Sequence, residues 1–192
     1  MSARPSTSAR PNRLRRLRRP SAVLAALASV AALLLAGAPA AGAAGSDDDG
    51  WQPYRSQPRD YPAGTLCDFH LHVGIVTDGE EIRTAARYPD GSPARVQFRG
   101  PLVLRYTDLD SGRSVERDQS GRGTLDYLPD GSRLWRIPAS SHIGAAIHPG
   151  NPYHAPGDFL FSGGVTLLIH PDGQPQVLRQ RRVENLCETL AA

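Results

Sequence analysis

Two histidines one residue apart, His70 and His72, are the side chains whose spacing most directly suggests chemistry. Positions i and i+2 of a β-strand project from the same face, so two imidazoles there can converge on one metal ion. A third ligand would have to come from elsewhere, and His148, His154 and His170 are the candidates. His170 stands on the outward phase of its segment, opposite Val165, Leu167 and Ile169, which is the phase of the pair. The competing reading makes His70 and His72 polar residues on the wet face of a half-exposed strand.

Gly64, five intervening residues, then His70-Leu71-His72 resembles the first half of the cupin signature. Cupins are metal-binding β-barrels with oxygenase, isomerase and storage members. The resemblance implies a metal-dependent enzyme that uses His70 and His72. It covers roughly ten residues. The glutamate that the family places four or five residues after the second histidine falls here on Val76 or Thr77, and Glu80 and Glu81 come later. Pro138 to His142 lacks the glycine and asparagine of the second motif.

Other constellations are weaker. Asp108 and Asp110, in Thr107-Asp108-Leu109-Asp110-Ser111-Gly112, alternate as calcium-loop carboxylates do, but Gln119 stands at the twelfth place where a glutamate is needed. The alternative is a hairpin turn whose aspartates cap local amides. The loop from His148 to Asp158 is the longest stretch without strand character. Tyr153 and His154 at its centre are candidate ligand-loop residues, against the plainer reading of an ordinary connection. Arg179, Arg181 and Arg182 could meet an anionic partner or form the wet face of the last strand. No Gly-x-Ser-x-Gly elbow occurs. Ser141 with His142, and Glu80 with Glu81, are sequence neighbours whose side chains leave a strand on opposite faces. Lysine is absent, which excludes Schiff-base chemistry and a P-loop lysine. No catalytic residue and no cofactor are assigned.

The elements that must position these residues are strands. From Tyr61 onward, segments of five to nine residues alternate with turn signals, and no stretch keeps a 3.6-residue apolar period. Pro-Asp-Gly recurs at 89–91, 129–131 and 171–173, at intervals of 40 and 42 residues. Proline presets φ and glycine permits φ > 0, so each marks a chain reversal, as in a meander. Cys67, Phe69, Leu71, Val73 and Ile75 share one face; Val96 with Phe98, Leu125 with Tyr127 and Val165 with Leu167 repeat the alternation. The expectation is an all-β domain, an antiparallel meander of 8–10 strands in a closed barrel, with a two-sheet sandwich as the alternative.

The N-terminus sets the compartment. Seven arginines between Arg4 and Arg19 lead into an apolar run from Ala22 to Ala36, then into A-x-A sites at 38–40 and 41–43. This is the layout of a secretory signal peptide over residues 1–40, too short in its apolar part to span a membrane comfortably. An uncleaved anchor is the alternative and would be the sole membrane contact. The formal charge of +3 includes those seven arginines. Without them, 15 arginines face 19 carboxylates, about −4, which removes the argument for a nucleic-acid partner. Residues 41–60, with Asp47-Asp48-Asp49, Pro53 and Pro58, read as a flexible linker before a domain at 61–192. In an exported chain an isolated pair, Cys67 and Cys187, reads as a disulfide.

Tyr61-Pro62-Ala63-Gly64 leading into Cys67-Asp68-Phe69, the 107–112 hairpin, and Val183 to Leu186 ending in Cys187 resemble a group of small secreted actinobacterial β-domain proteins of unassigned function. The resemblance implies a secreted β-domain and no activity. The expectation is a secreted, non-catalytic β-domain that binds an extracellular small ligand or protein, with the cupin-like metalloenzyme as the alternative.

Overall fold

The computed structural model describes residues 50–192. The expected leader, residues 1–40, and the linker up to residue 49 lie outside the described residues.

The described chain runs as seven antiparallel segments, each broken near its middle. In order they are β1 (Gln52–Pro53) with β2 (Arg59–Tyr61), β3 (Leu71–Asp78) with β4 (Glu81–Arg87), and β5 (Pro93–Gly100) with β6 (Leu102–Asp108). Then come β7 (Ser114–Asp118) with β8 (Gly121–Tyr127), and β9 (Arg133–Ile137) with β10 (His142–Ile147). The last two are β11 (Gly157–Ser162) with β12 (Val165–Ile169), and β13 (Pro175–Arg179) with β14 (Arg182–Asn185). A short helix, α1 (Leu186–Ala191), follows. One half of every segment joins a seven-stranded sheet, β1-β4-β5-β8-β9-β12-β13. The other halves form two sheets, β2-β3-β6-β7 and β10-β11-β14.

The breaks are aligned across the sheet. Gly79, Gly100 and Gly121 stand 21 residues apart, because neighbouring segments of equal length must turn the same corner. Gly79 N donates to Pro101 O (2.9 Å), Gln119 N to Leu102 O (2.8 Å), and Arg122 N to Ser141 Oγ (2.9 Å), so each corner is tied to the next. Gly100 has φ +128°, and a Cβ there would run into the Gly79 carbonyl and lie 2.9 Å from Glu80 Cα. Only glycine fits this conformation and this space together. The three Pro-Asp-Gly turns join β4 to β5, β8 to β9 and β12 to β13, all at one end of the large sheet. In each, the aspartate Oδ1 accepts an amide two residues on: Ser92 N (2.8 Å), Ser132 N (2.9 Å) and Gln174 N (2.9 Å). The spacing of about 42 is one hairpin, two segments long.

The sheets do not close into the expected barrel. β8 and β9 pair, but their continuations part, leaving β7 and β10 in different sheets. Apart from the five-residue break between β1 and β2 at the edge of the sheet, the other corners skip only one or two residues, whereas Pro138 to Ser141 makes a four-residue turn that carries β10 away from β7. The corners also divide what sequence alternation reads as 8–10 strands into fourteen. β10-β11-β14 is instead sandwiched between the other two sheets. Ala146 and Leu160 on one face pack with Leu71, Val73, Tyr106, Leu186 and Leu190; Ile143, Ala145, Phe159 and Phe161 on the other pack with Trp135, Ile137, Val165 and Val177. Burying both faces of a small sheet lets each apolar side chain leave water without a closed barrel.

Cys67 and Cys187 are bonded, with Cα atoms 5.2 Å apart and 120 residues between them in sequence. The bond joins the turn before β3 to α1, a helix too short to show periodicity in the sequence. Asn185 caps α1, its Oδ1 accepting from Cys187 N (3.1 Å). The segment read as a linker is structured from β1 onward, since β1 pairs with β4 and β2 with β3. Its aromatics dock. The guanidinium groups of Arg83 and Arg99 lie 4.8 and 4.1 Å from the Trp51 ring centre, and Tyr54 meets Phe98 edge-on at 5.3 Å.

Candidate functional site

The parting of β7 from β10 leaves a cavity of about 770 Å³ bounded by all three sheets and the 54–61 segment. The wall on the large sheet is apolar and aromatic. Phe98 from β5, Trp135 and Ile137 from β9 and Leu167 from β12 face it, and Phe98 meets Trp135 at 5.0 Å between ring centres. With Tyr54 this makes a continuous ladder of three rings. The four-stranded sheet contributes Val73, Ile75, Leu104 and Tyr106, and β10 contributes its free edge.

The polar groups gather where the four-stranded sheet faces β10 and β11. Tyr106 is 2% exposed and Asp158 5% exposed. Gln119, at the end of β7, joins the two sides: Gly144 N donates to its Oε1 (2.9 Å), which turns its amide Nε2 towards the Tyr106 hydroxyl oxygen as donor. The Tyr106 oxygen accepts there, so its own proton remains free to donate. Burial pushes the Tyr106 hydroxyl well above its ordinary range, with the nearby Asp158 carboxylate adding to the rise. It is a neutral donor at any physiological pH.

Asp158 follows Gly157 at the start of β11, lines the cavity and is near enough to Tyr106 and Arg59 to interact with both electrostatically. Burial raises it to about 6, although the field of Arg59 and a hydrogen bond from the Phe159 backbone oppose the rise. Among the described residues no arginine or histidine nitrogen comes within ion-pairing distance of it. Glu80, near the Tyr54 end, is also raised, by burial first and then by repulsion from Asp78; Ser56 Oγ donates to it (2.7 Å) and offsets part of this. His142 Nδ1, on β10, is buried without a partner among the described residues. An orphaned polar atom beside a cavity has a bonding capacity that a ligand or water can fill.

The residues singled out from the sequence are placed otherwise. His72 is on the outer face of β3, where Nδ1 lies 2.8 Å from Asp60 Oδ1, and His70 precedes the strand. His170 belongs to the turn after β12, with Nε2 3.0 Å from Gln176 Oε1 and its ring stacked on Tyr153 at 4.8 Å. His70 and His72 thus lie beside the four-stranded sheet and His170 beside the seven-stranded one. Among the described residues no three His, Cys, Asp or Glu side chains gather as a metal site. Tyr153 and His154 fasten the long loop: His154 Nε2 accepts from Val177 N (2.9 Å) on the edge strand β13, and Asn151 Oδ1 accepts from Tyr153 N and His154 N. Asp108 accepts from Asp110 N (2.9 Å) and Ser111 N (3.2 Å), the turn-capping role, and the Ser111 hydroxyl bond holds its carboxyl below the usual range.

The cavity's polar residues were not evident beforehand. Asp158 ends a loop-like stretch, Tyr106 fits a core alternation, and Gln119 is noticed only as a missing glutamate. The one available signal is the 21-residue recurrence of glycine, which announces bent segments and therefore an enclosed space. No protein-family model matches the chain, and no curated protein and no solved structure is similar to it.

Proposed function

We propose that the protein is an exported, non-catalytic binding domain that holds one small amphipathic organic molecule in the cavity between its sheets. The observation that carries this reading is the cavity: about 770 Å³, with an aromatic ladder on one wall and a buried polar cluster on another. Ligand sites of this volume typically combine an apolar lining with a few placed polar groups. The leader and the disulfide support an oxidising, extracellular destination. A metal-dependent enzyme built on His70 and His72 finds no supporting ligand set among the described residues.

Trp135 provides the test, because it lines the cavity and Trp51 is the only other tryptophan. In a Trp51→Phe chain, titration with the neutral dye N-phenyl-1-naphthylamine is expected to quench Trp135 emission saturably at one dye per chain. Ile75→Phe, which fills part of the space, is expected to weaken binding at least fivefold. Absence of a saturable change up to the solubility limit of the dye would refute the reading.

A further inference from the structure

We infer that the ligand carries a positive charge, as an amine or ammonium head attached to an apolar body, and that Asp158 is its counter-ion. This rests on the cavity being a binding site. Three observations converge on it.

The first is an acid with no ion partner. Asp158 is 5% exposed and lines the cavity, yet no cationic nitrogen of the described residues pairs with it. Burying a carboxylate uncompensated is costly, and folded proteins avoid it unless something else supplies the opposite charge. Arg59, on β2, is an exposed residue that lines the same cavity and acts on it through space without forming an ion pair. A cation entering the cavity would meet a largely buried carboxylate carried by β11.

The second is the company that Asp158 keeps. Tyr106, from β6, and Tyr61, from β2, line the same cavity, and the ladder of Tyr54, Phe98 and Trp135 forms its far wall. Aromatic faces attract ammonium groups through their quadrupoles, most strongly where water is excluded. The same rings accommodate an apolar body. Arginines line the cavity too, but Arg59, Arg122 and Arg133 are exposed and Arg99 is paired with Glu81 (2.7 Å), so at the buried carboxylate itself a cation is favoured and an anionic head is repelled.

The third is the difference between Asp158 and the other cavity acids. Glu80 is engaged by the Ser56 hydroxyl (2.7 Å), and Asp172 caps its turn through Gln174 N (2.9 Å) at the exposed rim. Asp158 has no such side-chain partner.

Displacement of bound N-phenyl-1-naphthylamine by three ten-carbon probes at pH 7.5 tests the inference. Decylamine is expected to displace the dye at concentrations at least tenfold lower than decanol, with decanoate the weakest. Asp158→Asn is expected to bring decylamine within about twofold of decanol, each probe being scaled to the dye affinity of that variant; Asp172→Asn is expected to leave the tenfold preference intact. Equal potency of decanol and decylamine on the unaltered chain would overturn the inference and leave the binding reading standing. Failure of all three probes and of the dye would sink both. If the Asp158→Asn chain does not fold, the ratio measured on the unaltered chain decides alone.

Discussion

Asp158→Asn keeps the shape of the side chain and removes its charge, which makes it a direct test of the electrostatics of the cavity. The folded protein holds this carboxyl at about 6 against 3.8 for a free aspartate, chiefly by burial. Holding it there corresponds to about 3 kcal/mol by which ionisation disfavours the fold above pH 6. The sign follows from proton affinity: the folded chain binds the proton more tightly than the unfolded chain, so the cost shrinks as pH falls from 7 towards 4. At pH 7.5 the variant is expected to be more stable by about 1–3 kcal/mol, the lower end allowing for an amide left without partners. At pH 4.5 that advantage should be smaller by about 2 kcal/mol. Tyr106 from β6 stays neutral across this range, and the other titrating groups are common to both chains. The assay is urea unfolding of both proteins at the two pH values with the disulfide oxidised. No gain at pH 7.5, or a gain that grows on acidification, would refute the account of Asp158 as a buried charge without a counter-ion. A gain would also mean that stability is given up at this position, as at many binding sites.

Three further outcomes are expected. Replacing Cys67 and Cys187 by serine opens a loop with 120 residues of separation and should lower unfolding free energy by about 5 kcal/mol, read from the urea midpoint; a loss under about 1 kcal/mol would show that packing of α1 alone restrains the ends. Gly100→Ala forces a Cβ against the Gly79 carbonyl at φ +128° and should cost about 3 kcal/mol in thermal unfolding. Gly91→Ala, at φ +85° in open space, should cost about 1 kcal/mol, and equal costs would contradict the tight corner. Gln119→Ala removes both side-chain bonds of Gln119, one of them across the parting, and should cost about 2 kcal/mol; the Gly144 amide should then exchange its hydrogen faster by NMR, and unchanged exchange would argue against the bridge.

Much of the framework could be read residue by residue. Leu71, Val73, Val96, Leu125, Val165 and Leu167, all assigned inward by alternation, are buried. The Pro-Asp-Gly turns reverse the chain where expected, and the two cysteines are joined. These are local facts: alternation follows from the pleat, turn type from φ preferences, and pairing from having only two thiols. Closure of the sheet is another matter. It depends on whether the four residues from Pro138 to Ser141 keep β10 beside β7, and alternation is the same on either side of that turn. The histidine pair was misleading for a related reason, since His72 is on a strand face as expected but its neighbour across the sheet is Asp60 and no further ligand.

By its own order of residues, the chain determined an all-β domain, its inward faces, its reversals and its staple, since each depends on near neighbours or on a unique pairing. Which polar groups meet was decided in three dimensions. Tyr106, Gln119, Gly144 and Asp158 come from four separate strands or strand ends, and only the swing of β10 at one corner brings them around a common space. A carboxylate at position 158 is unremarkable in a loop; largely buried at the start of β11 and without an ion partner among the described residues, it becomes a charge that the cavity presents to whatever enters it.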